Sequence, residues 1–325
     1  MRPKVLVTRE IPARPLKLLQ EKAEVTINGE DREMTVEEII AQLPQKIALL
    51  SMAGDPLSAK VLGTGKDLKI VANYAVGFNN IDLVAATRLK IAVTNTPEVL
   101  TDTTADLAFA LILGVARKVA EADRFVRAGK WVGWKPGLFL GSDVHGKTLG
   151  IIGLGRIGTS MAQRALGFNM EILYTDVRPI DRSVEERYRA KYVSLKELLQ
   201  SADFVTIHVA LTPDTIHLIG REELRLMKST AFLINASRGP VVNEKDLVEA
   251  LKAGMIAGAG LDVFEEEPRV TPELIQMDNV LLLPHIGSAT FETREKMALV
   301  AVNNIIAILR GETPPNILNP EIYSK

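Results

Sequence analysis

The chain has 325 residues, 47% hydrophobic and 24% charged, and its 39 basic and 40 acidic side chains leave a formal net charge of −1. That length accommodates two ordinary domains, and no Lys/Arg block suggests a surface for nucleic acid or a membrane. Cysteine is absent, which excludes disulfides and thiolate catalysis.

The first apolar run, residues 5–8, is too short for the core of a signal peptide. It opens a series in which β-branched runs alternate with amphipathic stretches: "KVLVT" before "ARPLKLLQEK", "EVTI" before "TVEEIIAQL", "IALLS" before "PLSAKVL", and "KIVANYAVG" before "IDLVAATRLK" and "IAVTNTP". Such alternation predicts a parallel sheet covered by helices. Pro97 closes the series. A helical pattern over residues 101–129 follows, with Leu107, Ala110, Leu111 and Val115 at helical spacing, and is expected to join this unit to the next. Its longest apolar stretch, residues 107–116, is too short to span a bilayer and fits a buried helix. The cytoplasm is the expected compartment.

From Lys147 a second alternating series begins, with strands expected near "TLGIIG", "EILYTD", "DFVTIHV", "TAFLINA", "AGAGLDVF" and "NVLLLP". The chain therefore reads as two α/β units. A final helix, about 293–310, carries an apolar stripe of Met297, Val300, Ile305, Ile308 and Leu309, and the pattern alone does not say which unit it covers.

The stretch "GIIGLGRIG" places Gly153, Gly155 and Gly158 between a predicted strand and a predicted helix. Gly153 suits a tight turn, Gly155 lets a pyrophosphate approach the backbone, and Gly158 lets the helix pack close to the strand. The N–H groups at the helix start then face the anion. Asp176 ends the next strand, eighteen residues after Gly158. A carboxylate there accepts hydrogen bonds from the ribose hydroxyls and repels a 2′-phosphate, which favours NAD over NADP. Arg178 nearby points the other way.

Arg238, Glu267 and His285 also stand at the ends of apolar segments, where open parallel sheets bind ligands. Reducing a 2-oxo acid requires a hydride at C2, a proton on the carbonyl oxygen and an anchor for the carboxylate. His285 can donate the proton near neutral pH. A Glu267 carboxylate beside it would orient the ring and favour its protonated form. Arg238 can grip a carboxylate through its planar fork. Singly, each has a plainer reading: a structural Pro-His, a solvated acidic turn at 265–267, and a residue that starts a helix. The case rests on the three together. No metal is expected.

The segments "GIIGLGRIG", "INASRGPVVNEKDLVEAL", "AGLDVFEEEP" and "LLPHIGSAT" resemble the D-isomer-specific 2-hydroxyacid dehydrogenases over essentially the whole chain. "ANYAVGFNNID", "VTNTPEVLTDTTADLAFALIL" and "GETPPN" are similar to the glyoxylate/hydroxypyruvate reductase branch. The resemblance implies two doubly wound parallel-sheet domains: a Rossmann NAD domain, residues 100–289, inserted in a flavodoxin-like substrate domain made of 1–99 and 290–325. It makes Arg238, Glu267 and His285 the catalytic residues. It adds Thr104, Arg156, Ile157, Ala236, Asp262 and Gly287 at the cofactor. For the substrate it implies the N–H groups of Val76 and Gly77, together with Ser288. It also implies a homodimer whose domains close on the substrate, and NADH as reductant of a small 2-oxo acid.

Three readings compete with glyoxylate or hydroxypyruvate reduction: a related dehydrogenase acting on D-lactate, D-3-phosphoglycerate or phosphite; a formate dehydrogenase, which would carry Gln at position 267; and a NAD-sensing corepressor-like binding protein. His145 and His217 sit in polar loop contexts with no carboxylate assigned to them, and His208 ends "DFVTIHV". Both tryptophans, Trp131 and Trp134, lie in the non-periodic segment 129–141. It is expected to be an arm that reaches the second subunit and brings Trp134 to the partner's substrate site.

Overall fold

The computed structural model describes residues 2–30 and 32–323. Its described residues divide into two units, one built from residues up to 100 together with those from 288 onward, the other from residues 101–287.

In the first unit the strands are β1 (Lys4–Val7), β2 (Glu24–Ile27), β3 (Ala48–Ser51), β4 (Ile70–Asn73) and β5 (Ala92–Thr94). All pair in parallel, in the order β2-β1-β3-β4-β5. This is the flavodoxin-type order, whose direction of winding reverses between β1 and β3. Every residue of β3 and β4 is buried, which is why these strands read as unbroken apolar runs rather than alternating ones. The terminal helix Phe291–Leu309 belongs to this unit and packs on β3, β4 and the helix Ala13–Lys22. It buries Met297, Ala301 and Ile305 at four-residue spacing, with Ala298 and Val302 beside them. Full burial of each large side chain is worth roughly 1.5–3 kcal/mol. Beyond it, the buried Asn319 accepts the N–H of Val93 at 2.8 Å and donates to the carbonyl of Ile91 at 2.9 Å. Those bonds stitch the chain's return to the edge strand β5.

The second unit holds β6 (Thr148–Ile152), β7 (Glu171–Thr175), β8 (Ala190–Tyr192), β9 (Phe204–Ile207), β10 (Phe232–Asn235), β11 (Gly258–Leu261) and β12 (Val280–Leu282). They form one parallel sheet in the order β12-β11-β10-β9-β6-β7-β8, so the winding reverses between β6 and β9. The loops after those two strands diverge and leave a crevice at their carboxyl ends.

Two elements differ from the sequence reading. β8 adds a seventh strand to the expected six; it is three residues long, and its Lys191 and Tyr192 are exposed, so no apolar run announces it. The helical pattern over 101–129 is two helices, Thr101–Ala116 and Val119–Arg127, broken where Lys118 adopts a left-handed φ of 52°. The first does not serve as a connector. It buries Ala105, Ala108, Leu111, Ile112 and Val115 on β10, β11, β12 and the helix Arg156–Gly167, all inside the second unit.

Candidate active site

β6 runs into Gly153, whose φ of +91° is a conformation that residues with a Cβ rarely adopt. Its N–H donates to the carbonyl of Thr175 at the end of β7, which ties the loop to the neighbouring strand. Gly155 then caps the helix Arg156–Gly167 without a side chain to occupy the first-turn N–H groups of Arg156, Ile157 and Gly158. A Cβ built on Gly155 would meet nothing within 4 Å, whereas one on Gly158 would lie 2.1 Å from the carbonyl oxygen of Gly153. The loop is thus open on the side where an anion would approach and closed where helix meets strand. Asp176 follows β7 and accepts the N–H groups of Leu154 at 2.9 Å and Val177 at 2.7 Å. Its carboxylate is fixed against the glycine loop, where a nucleotide's sugar would follow its phosphates. An open backbone cradle, an uncapped helix start and a fixed carboxylate fit a dinucleotide.

The second constellation is built on β10, β11 and β12. Asn235, fully buried at the end of β10, accepts the N–H and hydroxyl of Ser237 at 3.0 and 2.9 Å and donates to the carbonyl of Arg238 at 3.0 Å. This side-chain turn sets the backbone of Arg238. The guanidinium donates to the carbonyl of Ser237 at 2.7 Å. Burial lowers it from its ordinary value, and the Glu267 carboxylate opposes that shift.

Asp262 follows β11 and is almost wholly buried. Its carboxylate accepts the N–H groups of Ile286 and Gly287, both at 2.8 Å, while its carbonyl accepts the N–H of His285 at 2.8 Å. Burial pushes this carboxyl upward, against the N–H of Ile286, the charge of His285 and the N–H of Gly287. Three bonds to one residue hold His285 at a left-handed φ of 53°, a conformation that costs a residue with a Cβ of order 1–3 kcal/mol. The imidazole Nδ1 then donates to Glu267 Oε2 at 2.8 Å, and Glu267 Oε1 accepts the N–H of Phe264 at 3.0 Å. Burial raises the Glu267 carboxyl, but the hydrogen bond and charge of His285, the Phe264 N–H and Arg238 outweigh it and hold it below the usual carboxylate range. His285 Nε2 has no partner among the described residues. It is the nitrogen left to meet a substrate.

Arg238, Glu267 and His285 therefore stand together, as the sequence placed them. Gly287 lies against Asp262 and the buried Thr104, and Ala236 follows β10 directly. In the other unit Val76 and Gly77 follow β4; their carbonyls accept from Asn95 and Asn73, and their N–H groups donate to nothing among the described residues. Ser288 lies just before the terminal helix of that unit. Trp134 is 81% exposed on the segment between the helix Val119–Arg127 and β6.

One histidine pairing went unseen in the sequence. His217 does have a carboxylate: its Nε2 is bonded to Glu265 Oε1, and its Nδ1 lies 3.4 Å from the amide of Asn243. His208, placed at a strand end by the sequence, follows β9 directly and lies beside the glycine loop, with Nε2 bonded to Thr206 at 2.8 Å and Nδ1 buried; burial pushes it down to about 3, so it is neutral at physiological pH. Asn235 and Glu244 also escaped notice, although an Asn ending an apolar run before Ser-Arg-Gly is a turn signal.

The family model described as "D-isomer specific 2-hydroxyacid dehydrogenase, NAD binding domain" matches residues 109–287. The chain is 52% identical to a glyoxylate reductase of Pyrococcus horikoshii over 326 aligned residues, covering 99% of this chain and 97% of that one. A crystal structure of a Thermus thermophilus protein superposes with a TM-score of 0.91 at 42% identity, covering 97% of this chain and 99% of the other. An NADPH-dependent glyoxylate/hydroxypyruvate reductase of Sinorhizobium meliloti, solved with NADP and malonate, superposes with a TM-score of 0.88 at 33% identity, covering 98% and 97%.

Proposed function

Because the chain belongs to the D-isomer specific 2-hydroxyacid dehydrogenase family, we propose that it reduces glyoxylate or hydroxypyruvate to the corresponding 2-hydroxy acid with NADH. The observation that carries the reading is the imidazole of His285, engaged by Glu267 through Nδ1 and without a partner at Nε2 among the described residues. Glyoxylate reductases of about half-identical sequence make glyoxylate the first candidate, and the Sinorhizobium glyoxylate/hydroxypyruvate reductase adds hydroxypyruvate.

The glycine loop, the first turn of the helix Arg156–Gly167 and Asp176 would hold the dinucleotide, with Thr104, Ala236, Asp262 and Gly287 around its nicotinamide end. Bound there, the cofactor supplies the hydride that reaches C2 of the substrate. Arg238 grips the substrate carboxylate and draws electron density toward the carbonyl oxygen. His285 Nε2 delivers the proton to that oxygen, and Glu267 stabilises the imidazolium before transfer. In the first unit, the N–H groups of Val76 and Gly77, with Ser288, are further donors for the substrate. The preference for NADH rests on Asp176, a like charge for a 2′-phosphate. The Sinorhizobium relative uses NADPH, so this preference is a property to be measured on this chain. The segment bearing Trp131 and Trp134, 58% and 81% exposed, offers apolar area suited to a second copy of the chain, with Trp134 reaching the partner's substrate site. A monomeric mass at micromolar concentration in sedimentation would remove that part of the reading.

The test is turnover of a panel of 2-oxo acids with each nicotinamide. Glyoxylate and hydroxypyruvate with NADH should give the highest kcat/KM. No turnover of any 2-oxo acid would overturn the reading and leave a nucleotide-sensing role.

A further inference from the structure

Glu267 sits in the middle of residues 265–271, a loop with only a short isolated pairing of Glu266 with Arg269 inside it. Its hold on His285 depends on where that loop is kept. One anchor, the N–H of Phe264, belongs to the chain just before it. Glu265 is bonded to His217, and Val270 packs on the core. The anchors that reach both ends of the loop come from Glu244, which opens the helix Glu244–Lys252 and is 6% exposed.

Acidic residues in a first helical turn ordinarily face their own helix's N–H groups. In this helix that work is done by Asn243, whose side chain accepts the N–H of Asp246. Glu244 turns outward to the loop. Its Oε1 accepts the N–H of Glu265 at 2.5 Å and its Oε2 accepts the hydroxyl of Thr271. The exchange is reciprocal, since Glu265 Oε2 accepts the N–H of Glu244 at 3.2 Å. Thr271 precedes the helix Pro272–Ile275, yet its hydroxyl makes no cap bond there and goes to Glu244 instead. One carboxylate therefore ties both ends of the loop that carries Glu267.

The same contact reaches Arg238. Gly239, the next residue, packs so tightly that a Cβ there would lie 1.8 Å from the carbonyl oxygen of Phe264 and 2.5 Å from the nitrogen of Glu265. The backbone that leads from Arg238 through residues 239–243 to Glu244 thus runs against the start of the Glu267 loop.

We propose that Glu244 is a positioning residue for the reaction: by clamping Glu265 and Thr271 it keeps Glu267 within hydrogen-bond reach of His285. The inference rests on the catalytic reading above. Glu244 touches neither substrate nor cofactor in that reading, and its influence passes through the Glu267 carboxylate.

The test uses the whole chain with Glu244→Ala, Glu244→Gln and Thr271→Val. Small displacements of a catalytic group can lower rates by up to about a hundredfold. Glu244→Ala should lower kcat roughly tenfold, leave the KM for NADH unchanged and move the alkaline limb of the pH–rate profile for reduction to lower pH. Thr271→Val should do the same more weakly. Glu244→Gln, which keeps one acceptor and can donate to Thr271, should restore most of kcat. In a Glu267→Gln background, Glu244→Ala should move the profile no further, because the route it acts through is already cut. Folding is checked by thermal melting. A folded Glu244→Ala whose profile stays in place, or which loses the same factor in both backgrounds, overturns the proposal. Should the native chain turn over no 2-oxo acid, the catalytic reading fails. The clamp is then decided by the NMR titration of His285 in a protein of only four histidines: a curve displaced in Glu244→Ala supports it, and an unmoved curve overturns it.

Discussion

His285 and His217 both hold glutamates of a single acidic run, at positions 267 and 265, and both do so from a left-handed backbone, with φ of 53° and 52°. Their side chains are 39% and 42% exposed, so burial does not separate them. What separates them is the second ring nitrogen. His217 faces Glu265 with Nε2 and Asn243 with Nδ1, and is used up on both sides. His285 spends Nδ1 on Glu267 and keeps Nε2 for a ligand, with Arg238 close enough to bear on the Glu267 charge. A histidine–carboxylate pair is therefore not a site by itself. A proton donor needs a partner on one nitrogen and space on the other.

The hardest test of that distinction is His285→Ala, which removes the donor. It should lower kcat by about 10²–10⁴-fold, the usual worth of a positioned acid, with NADH affinity retained by fluorescence titration. A near-native kcat would mean that the open nitrogen is not the donor.

Asp176→Ala measures the cofactor preference at the other half of the site. Losing a charged hydrogen-bonding partner is worth roughly 1.5–3 kcal/mol, about tenfold or more in the ratio of kcat/KM for NADH over NADPH. A native chain that already prefers NADPH would refute the role given to this carboxylate.

Glu267→Gln should do less harm than the loss of His285 and should act mainly through pH. Glu267 is held below the ordinary carboxylate range, chiefly by His285 against the upward push of burial. The native arrangement is therefore favoured above the carboxyl's unfolded value, and that contribution is lost as pH falls through its lower folded value. The interaction works in both directions: without the carboxylate, the imidazolium loses its counter-charge, and the alkaline limb of the pH–rate profile for reduction should move to lower pH. If the limb does not move, Glu266 becomes the partner to examine next.

How much of this was visible beforehand follows from what each residue depends on. Buried parallel strands are continuous apolar runs, so most of the five strands of one sheet and six of the other could be read directly. β2, with no buried residue, was read from its β-branched Val25, Thr26 and Ile27. β8 could not, because Lys191 and Tyr192 face solvent. The break at Lys118 was also hidden: Arg117 and Lys118 are good helix formers, and only the left-handed backbone ends the helix. Arg238, Glu267 and His285 were legible because each ends an apolar segment. Asn235 acts locally, on Ser237 and Arg238, and its turn signal stood in the sequence unused. Glu244 and the pairing of His217 with Glu265 were not legible, since each works by a contact with a segment whose distance in space the chain order does not reveal. Glu244 in particular looks like any acid in a first helical turn.

The smallest expected effect is that of His217→Ala, and it bears most directly on the comparison. The substitution frees Glu265 Oε1, but Glu265 Oε2 still accepts the N–H of Glu244, and the Glu265 N–H still donates to Glu244. The loop that carries Glu267 thus keeps its anchors at both ends. An exposed substitution that leaves such anchors in place usually changes energies by no more than ~0.5 kcal/mol, so kcat should stay within roughly twofold of native, with an unmoved pH–rate profile. If His217 instead fed its charge through Glu265 to the site, the profile would shift as it does in Glu267→Gln. A folded but inactive His217→Ala would go further and make His217 the acid, with the Glu265 pair as its support.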